Sequence, residues 1–143
     1  MYREDIQKGK INEERVHPII NRVFQTNFKE TPQYALFDFK DFQTNTMVEV
    51  KSIGYKYGEV PSVMIGYNKI KYAVTQTKKG WDMWIVFSLK DGDYLYNFTE
   101  ENKDWIKPYD NSHQRPNSRT VNYYWIPIKH LIKIEDDLLI VEV

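Results

Sequence analysis

An α/β domain, a mixed β-sheet flanked by two helices with additional strands toward the C-terminus, is what the sequence predicts. Three observations carry that expectation. Two segments place apolar residues at helical spacing, and they alternate with short runs of strand character. Trp84–Leu89 is a continuous apolar run, suited to a strand buried on both faces. Turn-forming residues separate the runs at short intervals. At 143 residues, 41% hydrophobic and 28% charged, the chain has the size and composition of one soluble domain, and residues 1–143 are read as a single unit.

The first helix is expected over Lys10–Thr26, where Val16, Ile19, Ile20, Val23 and Phe24 share a face. Pro18 lies within it and should either kink the helix or begin it. Two strands follow, Tyr34–Phe42 and Met47–Ile53, joined as a hairpin across Gln43-Thr44-Asn45-Thr46. Tyr55–Pro61, with Gly58 and a proline and with Gly54 just before it, reads as a loop. A second helix is expected over Tyr67–Lys79, with Gly80 placed to end it. Asp91-Gly92 should turn Trp84–Leu89 into Tyr94–Phe98. Residues 99–119 read as a long irregular loop, and Tyr123–Ile128, Leu131–Ile134 and Leu138–Val143 as closing strands.

Composition excludes several chemistries. With no cysteine there is neither a disulfide nor a thiolate ligand or nucleophile. His17, His113 and His130 are too scattered to suggest a zinc site, so any metal would be a hard, oxygen-ligated cation. No apolar run is long enough to span a membrane, and Met1–Lys10 is too polar for an export signal; a soluble, intracellular protein is expected. Net charge is zero, but residues 51–80 hold six Lys/Arg against one Asp/Glu, a balance of +5. That pattern fits either a local anion-binding face or a solvated lysine-rich helix.

The segment richest in chemistry is Phe37-Asp38-Phe39-Lys40-Asp41-Phe42 followed by Met47-Val48-Glu49-Val50-Lys51-Ser52. Residues two apart on a strand share a face, so Glu49 and Lys51 point one way and Val48 and Val50 the other, into a core. Charges on an interior strand are costly unless paired. Register decides which aspartate joins them. An even loop centred between Thr44 and Asn45 sets Asp38 opposite Lys51 and Lys40 opposite Glu49; an odd loop brings Asp41 to Glu49 instead. Phe37 and Phe39, packed together on the far side, favour the even register. Two carboxylates with an ammonium suit metal-assisted phosphodiester hydrolysis, the lysine serving the attacking water or the transition state; a surface Asp–Lys pair is the plainer alternative.

Asp38 with Glu49-Val50-Lys51, eleven residues on, resembles the strand motif of the PD-(D/E)XK nuclease superfamily, with Phe37 where the name-giving proline stands. Gly9–Glu13, Met64–Ile70, Asp91-Gly92 and Trp125–Ile128 also resemble small nuclease-like proteins of large DNA viruses and phages. The resemblance implies a restriction-endonuclease-like core and a Mg²⁺- or Mn²⁺-dependent hydrolase acting on DNA, as an endonuclease or an exonuclease. It implies Asp38, Glu49 and the Val50 carbonyl as metal ligands, Lys51 as the lysine that activates the water or stabilises the transition state, and a homodimer, as in many members. A catalytically inactive nucleic-acid-binding module of the same fold is the alternative. On the first helix Glu13 falls about 60° from Val16, at the edge of the apolar stripe, whereas Glu14 falls about 160° away, facing solvent; Glu13 is therefore the helix carboxylate expected to reach the site. Lys69 and Tyr72 on the second helix, Lys56 between Tyr55 and Tyr57, and Arg115 and Arg119 in the long loop are the candidates for substrate contact.

Overall fold

A computed structural model describes residues 2–99, 105 and 123–140. The fold is α/β, and the described residues form two helices, a six-stranded mixed sheet and a second small sheet. In order, the elements are α1 (Tyr2–Phe24), β1 (Lys29–Glu30), β2 (Phe39–Asp41), β3 (Thr46–Ser52), β4 (Ser62–Gly66), α2 (Tyr67–Lys78), β5 (Asp82–Leu89), β6 (Gly92–Phe98), β7 (Tyr123–Pro127) and β8 (Ile132–Lys133). The large sheet runs β1-β2-β3-β5-β6-β8. Among the described residues only β3 and β5 are parallel neighbours, which requires a crossover, and the segment carrying β4 and α2 supplies it.

The alternation read from β3 sorts the core into two layers. Val48 and Val50 join Val16, Ile20 and Val23 of α1 on one face, with Trp84, Val86 and Leu95. Met47, Ile85 and Phe87 meet Ile70 and Ala73 of α2 on the other. β5 is buried along almost its whole length, as its apolar run requires. Gly80, at φ 95°, follows the last turn of α2, where a side chain would be strained.

Several expectations need correction. α1 begins at Tyr2 and runs through Pro18 without ending. Pro18 lies on the exposed face, so the carbonyl it leaves unbonded one turn earlier can be met by water. The strand expected over Tyr34–Phe42 shrinks to Phe39–Asp41, because residues 31–38 close on themselves: Thr31 N–H donates to the Asp38 carbonyl at 3.0 Å, and the Thr31 hydroxyl donates to the Phe37 carbonyl. Phe37 and Phe39 consequently part company, Phe37 entering the α2 layer and Phe39 the α1 layer. Ser62–Gly66, unassigned in the sequence reading, forms β4 and pairs with β7 apart from the main sheet. Leu131–Ile134 contributes only the two-residue β8, and residues 138–140 are not a strand. Among the described residues no helix is long and apolar enough to cross a membrane.

Candidate active site

The β2–β3 turn sets the register on which everything at the site depends. Asp41 accepts from the backbone N–H groups of Gln43 and Thr44 and from the hydroxyls of Thr44 and Thr26. Asn45 takes the left-handed conformation, φ 51°, which asparagine tolerates. This clasp holds the loop to residues 42–45: even, as favoured, but centred one position earlier than expected. The pairs are Phe39↔Val48, Lys40↔Met47 and Asp41↔Thr46. Lys40 therefore faces Met47, not Glu49, and one further step of the ladder would set Asp38 against Glu49, not Lys51. Asp41 points away from the site. Its hydrogen bonds outweigh its burial and hold its carboxyl below the usual range.

β2 stops at Phe39, leaving the edge of β3 beyond Val48 without a strand partner on that side. Asp38 fills the gap with its side chain, accepting the Val50 N–H at 2.9 Å. A strand residue's N–H and C=O leave on the same side, so the Val50 carbonyl faces the same free edge. Glu49 is buried, and its carboxyl adjoins that of Asp38. Burial, then the Asp38 carboxyl, push Glu49 up to about 9, with the Lys69 ammonium only partly opposing them. Lys69 Nζ lies 2.6 Å from Glu49 Oε2 and also donates to the Leu36 carbonyl. Glu49 Oε1 is buried with no hydrogen-bond partner.

Glu13 reaches Asp38 from the other side. It is half-buried on α1 while Glu14 is exposed, in agreement with the helical projection. Burial, then Asp38 and Glu30, raise Glu13 to about 7, with Lys10 opposing. Asp38 thus stands between two carboxyls, each of which it drives toward the protonated form. A hollow of about 570 Å³ opens beside this row, lined by Gly9, Lys10, Glu13, Glu30 and the 31–38 segment including Asp38.

The other candidates divide. Lys51 shares Glu49's face of β3 but is exposed, and among the described residues its ammonium has no hydrogen-bond or ion-pair partner. Lys69 is drawn into the cluster itself, so the carboxylate and not a substrate holds it here. Tyr72 is engaged in packing: its ring lies 5.8 Å from that of Phe37, and its hydroxyl is turned to the Met47 sulfur. Lys56 is exposed, but neighbouring Tyr57 stacks on Tyr94 at 5.0 Å and is not free to take a base. Arg115 and Arg119 lie outside the described residues. The role of Lys69 was the one the sequence could not supply. Nothing in a helix row announces that its lysine will reach a strand glutamate twenty residues earlier.

Among the described residues, no three acidic or imidazole side chains close on one point as a finished metal cage. The carboxyls adjoin in pairs through Asp38, all with hard oxygen donors, and one buried oxygen has no partner. No family model matches the sequence, and no curated protein matches it significantly.

Proposed function

We propose that this chain is a metal-dependent nuclease of the PD-(D/E)XK type, hydrolysing DNA phosphodiester bonds at Asp38, Glu49 and Lys51. The observation that carries the reading is the buried, unpartnered Glu49 Oε1 beside the Asp38 carboxyl, on the free edge of β3. A buried carboxyl crowded by a second one, with a single ammonium to offset both, is unfavourable, and a hard divalent ion would relieve the conflict. The donor set fits Mg²⁺ or Mn²⁺: Asp38, Glu49 and the Val50 carbonyl would hold it. Such an ion would supply Lewis-acid activation of water and phosphate.

The remaining work falls to the chain. Asp38, held by the Val50 N–H, keeps a fixed orientation at the strand edge. Lys51, exposed on the same face as Glu49, is free to meet the phosphate oxygens as their charge grows. Lys69 balances Glu49 until a stronger cation takes the carboxylate. Glu13, near 7, can hold or release a proton at neutral pH and suits an outer carboxyl acting through water.

A second reading, a nucleic-acid-binding module of the same fold without turnover, is favoured by one observation: Lys69 already occupies Glu49 Oε2. Thermal unfolding with millimolar Mg²⁺ or Mn²⁺, paired with cleavage assays on duplex, branched and single-stranded DNA, separates the two. The nuclease gains stability from the ion and cuts. A protein that binds DNA but shows neither response is the module.

A further inference from the structure

A second, cationic and aromatic, patch lies along β2 from the carboxylates. β1 pairs with β2 so that Lys29 stands directly opposite Lys40. Like charges at that position repel, their Cβ atoms being about 5 Å apart in such a pair. Lys40 Nζ lies 4.8 Å from the centre of the Phe42 ring and 4.7 Å from that of Trp81. The two rings meet edge-on at 5.8 Å, and Phe42 is 70% exposed. Asp82 N–H donates to the Asn45 carbonyl at 2.7 Å, tying the β2–β3 turn to the segment after α2 and bringing Lys78 and Lys79 to the same end of the sheet.

The nearby acids do not neutralise this patch. Asp41 turns to the opposite face and is consumed by its turn, and Asp82 accepts from Asn97 at 2.9 Å. Among the described residues, Lys29, Lys40, Lys78 and Lys79 have no carboxylate partner. The dipole of α2 accounts for lysines at its C-terminus, and a single edge lysine guards against strand addition. Neither accounts for two lysines forced into register beside a large exposed aromatic ring.

We propose that Lys29, Lys40, Phe42 and Trp81 bind single-stranded nucleic acid, a base stacking on Phe42 while the flanking phosphates take the two lysines. A polyanion relieves the Lys29–Lys40 repulsion, and an exposed aromatic face takes only an unpaired base. Lys40 is two residues from Asp38 and Phe42 four, at most about 7 Å and 13 Å along the chain even at full strand rise. A strand stacked on Phe42 would therefore reach the carboxylates within a few nucleotides. The inference rests on the nuclease reading for its choice of polyanion, and it names the substrate class as single-stranded or locally unpaired.

The test is fluorescence anisotropy of the full chain in EDTA, with labelled oligothymidine, an abasic strand of equal length, and a duplex. Wild type should bind oligothymidine about tenfold more tightly than the abasic strand. Phe42→Ala should erase that preference, and Phe42→Leu should do the same while keeping apolar bulk if the alanine variant fails to fold. Lys29→Ala should weaken both strands and lower the slope of log affinity against log salt by about one. The proposal is overturned by unchanged binding in Phe42→Leu, by duplex binding at least as tight as single strand, by no binding, or by a preference for anionic phosphatidylserine vesicles. Failure here differs from failure of the nuclease reading. Binding in EDTA does not involve the metal, and the Mg²⁺ response of Phe42→Ala should match wild type.

Discussion

Two side-chain clusters tie the helices to opposite faces of the same sheet, each around an ion pair of nearly the same length. On the α1 face, Arg15 meets Asp93 at 2.7 Å; on the α2 face, Lys69 meets Glu49 at 2.6 Å. The Arg15 fork donates to both Asp93 oxygens, Ser88 adds a third hydrogen bond, and Asn12 links Arg15 to Ser52. Asp93 is held below the usual carboxylate range, these bonds outweighing its burial. Glu49 has one oxygen paired and one stranded, with a second carboxyl beside it, and is pushed up to about 9. A bidentate guanidinium completes a carboxylate, whereas a point-charge ammonium leaves it half-served. The first cluster is finished as architecture. The second is short of positive charge, and that shortage distinguishes a candidate site from a structural pair.

The largest expected effect sharpens this contrast directly. Asp38→Ala or Glu49→Ala should abolish the stabilisation of the wild type by Mg²⁺ and lower cleavage by about a thousandfold. At an ion concentration of a hundred times Kd, the wild-type gain is about 2.7 kcal/mol, readily seen by thermal unfolding. A wild type indifferent to Mg²⁺ and Mn²⁺ would break the comparison, making both clusters structural.

Next come the two lysines. Lys51→Ala should leave the Mg²⁺ shift intact and reduce kcat about a hundredfold with little change in KM, since an interaction made in the transition state is lost. Lys69→Ala should do the reverse to the metal response. Removing the competitor for Glu49 Oε2 should enlarge the Mg²⁺ shift and weaken the metal-free fold. If Lys69→Ala abolishes cleavage while Lys51→Ala spares it, the activating lysine is on α2.

The contrast between clusters was only partly legible in the sequence. The strand parity of β3 separated Val48 and Val50 from Glu49, and the helical projection chose Glu13 over Glu14, because both follow from local periodicity. The register was legible in parity but not in position: Asp41 clasping its own turn moves the turn one residue earlier, and that depends on Thr26, which follows the end of α1. β4 was visible in principle, Val63 and Ile65 alternating between Pro61 and Gly66, yet its partner β7 lies some sixty residues away. The Arg15–Asp93 and Lys69–Glu49 pairs join residues distant in sequence, and no pattern of spacing announces them.

A third prediction tests the finished side. Arg15→Ala should destabilise the fold by about 2 kcal/mol, the cost of stripping hydrogen bonds from a mostly buried carboxylate. It should leave the size of the Mg²⁺ shift unchanged. Loss of the metal response would mean that the two faces are coupled through the sheet. Equal stability of the variant and the wild type in denaturant titration would instead demote the pair to an ordinary surface contact.

The smallest effect is the pH dependence of the metal-free protein, and its sign separates the clusters once more. Glu13, at about 7, and Glu49, at about 9, both lie above their ordinary value of 4.5. Between those limits the folded chain binds more protons than the unfolded one, so stability falls as pH rises. The protonated cluster is fully tolerated below about pH 4.5, and the loss is complete only above about pH 9. Asp93 and Asp41 behave oppositely, since their carboxyls are held low and their contribution is lost only on strong acidification. In EDTA, the melting temperature should therefore decline from pH 5 to pH 9. Glu13→Gln should flatten the part of that decline near pH 7, modestly, because Glu13 is only half-buried and solvent screens it. Saturating Mg²⁺ should remove or reverse the slope, because the ion displaces the same protons. A flat or rising profile in EDTA would mean that Asp38 does not burden its two neighbours, and the cation-deficient cluster would lose its physical basis.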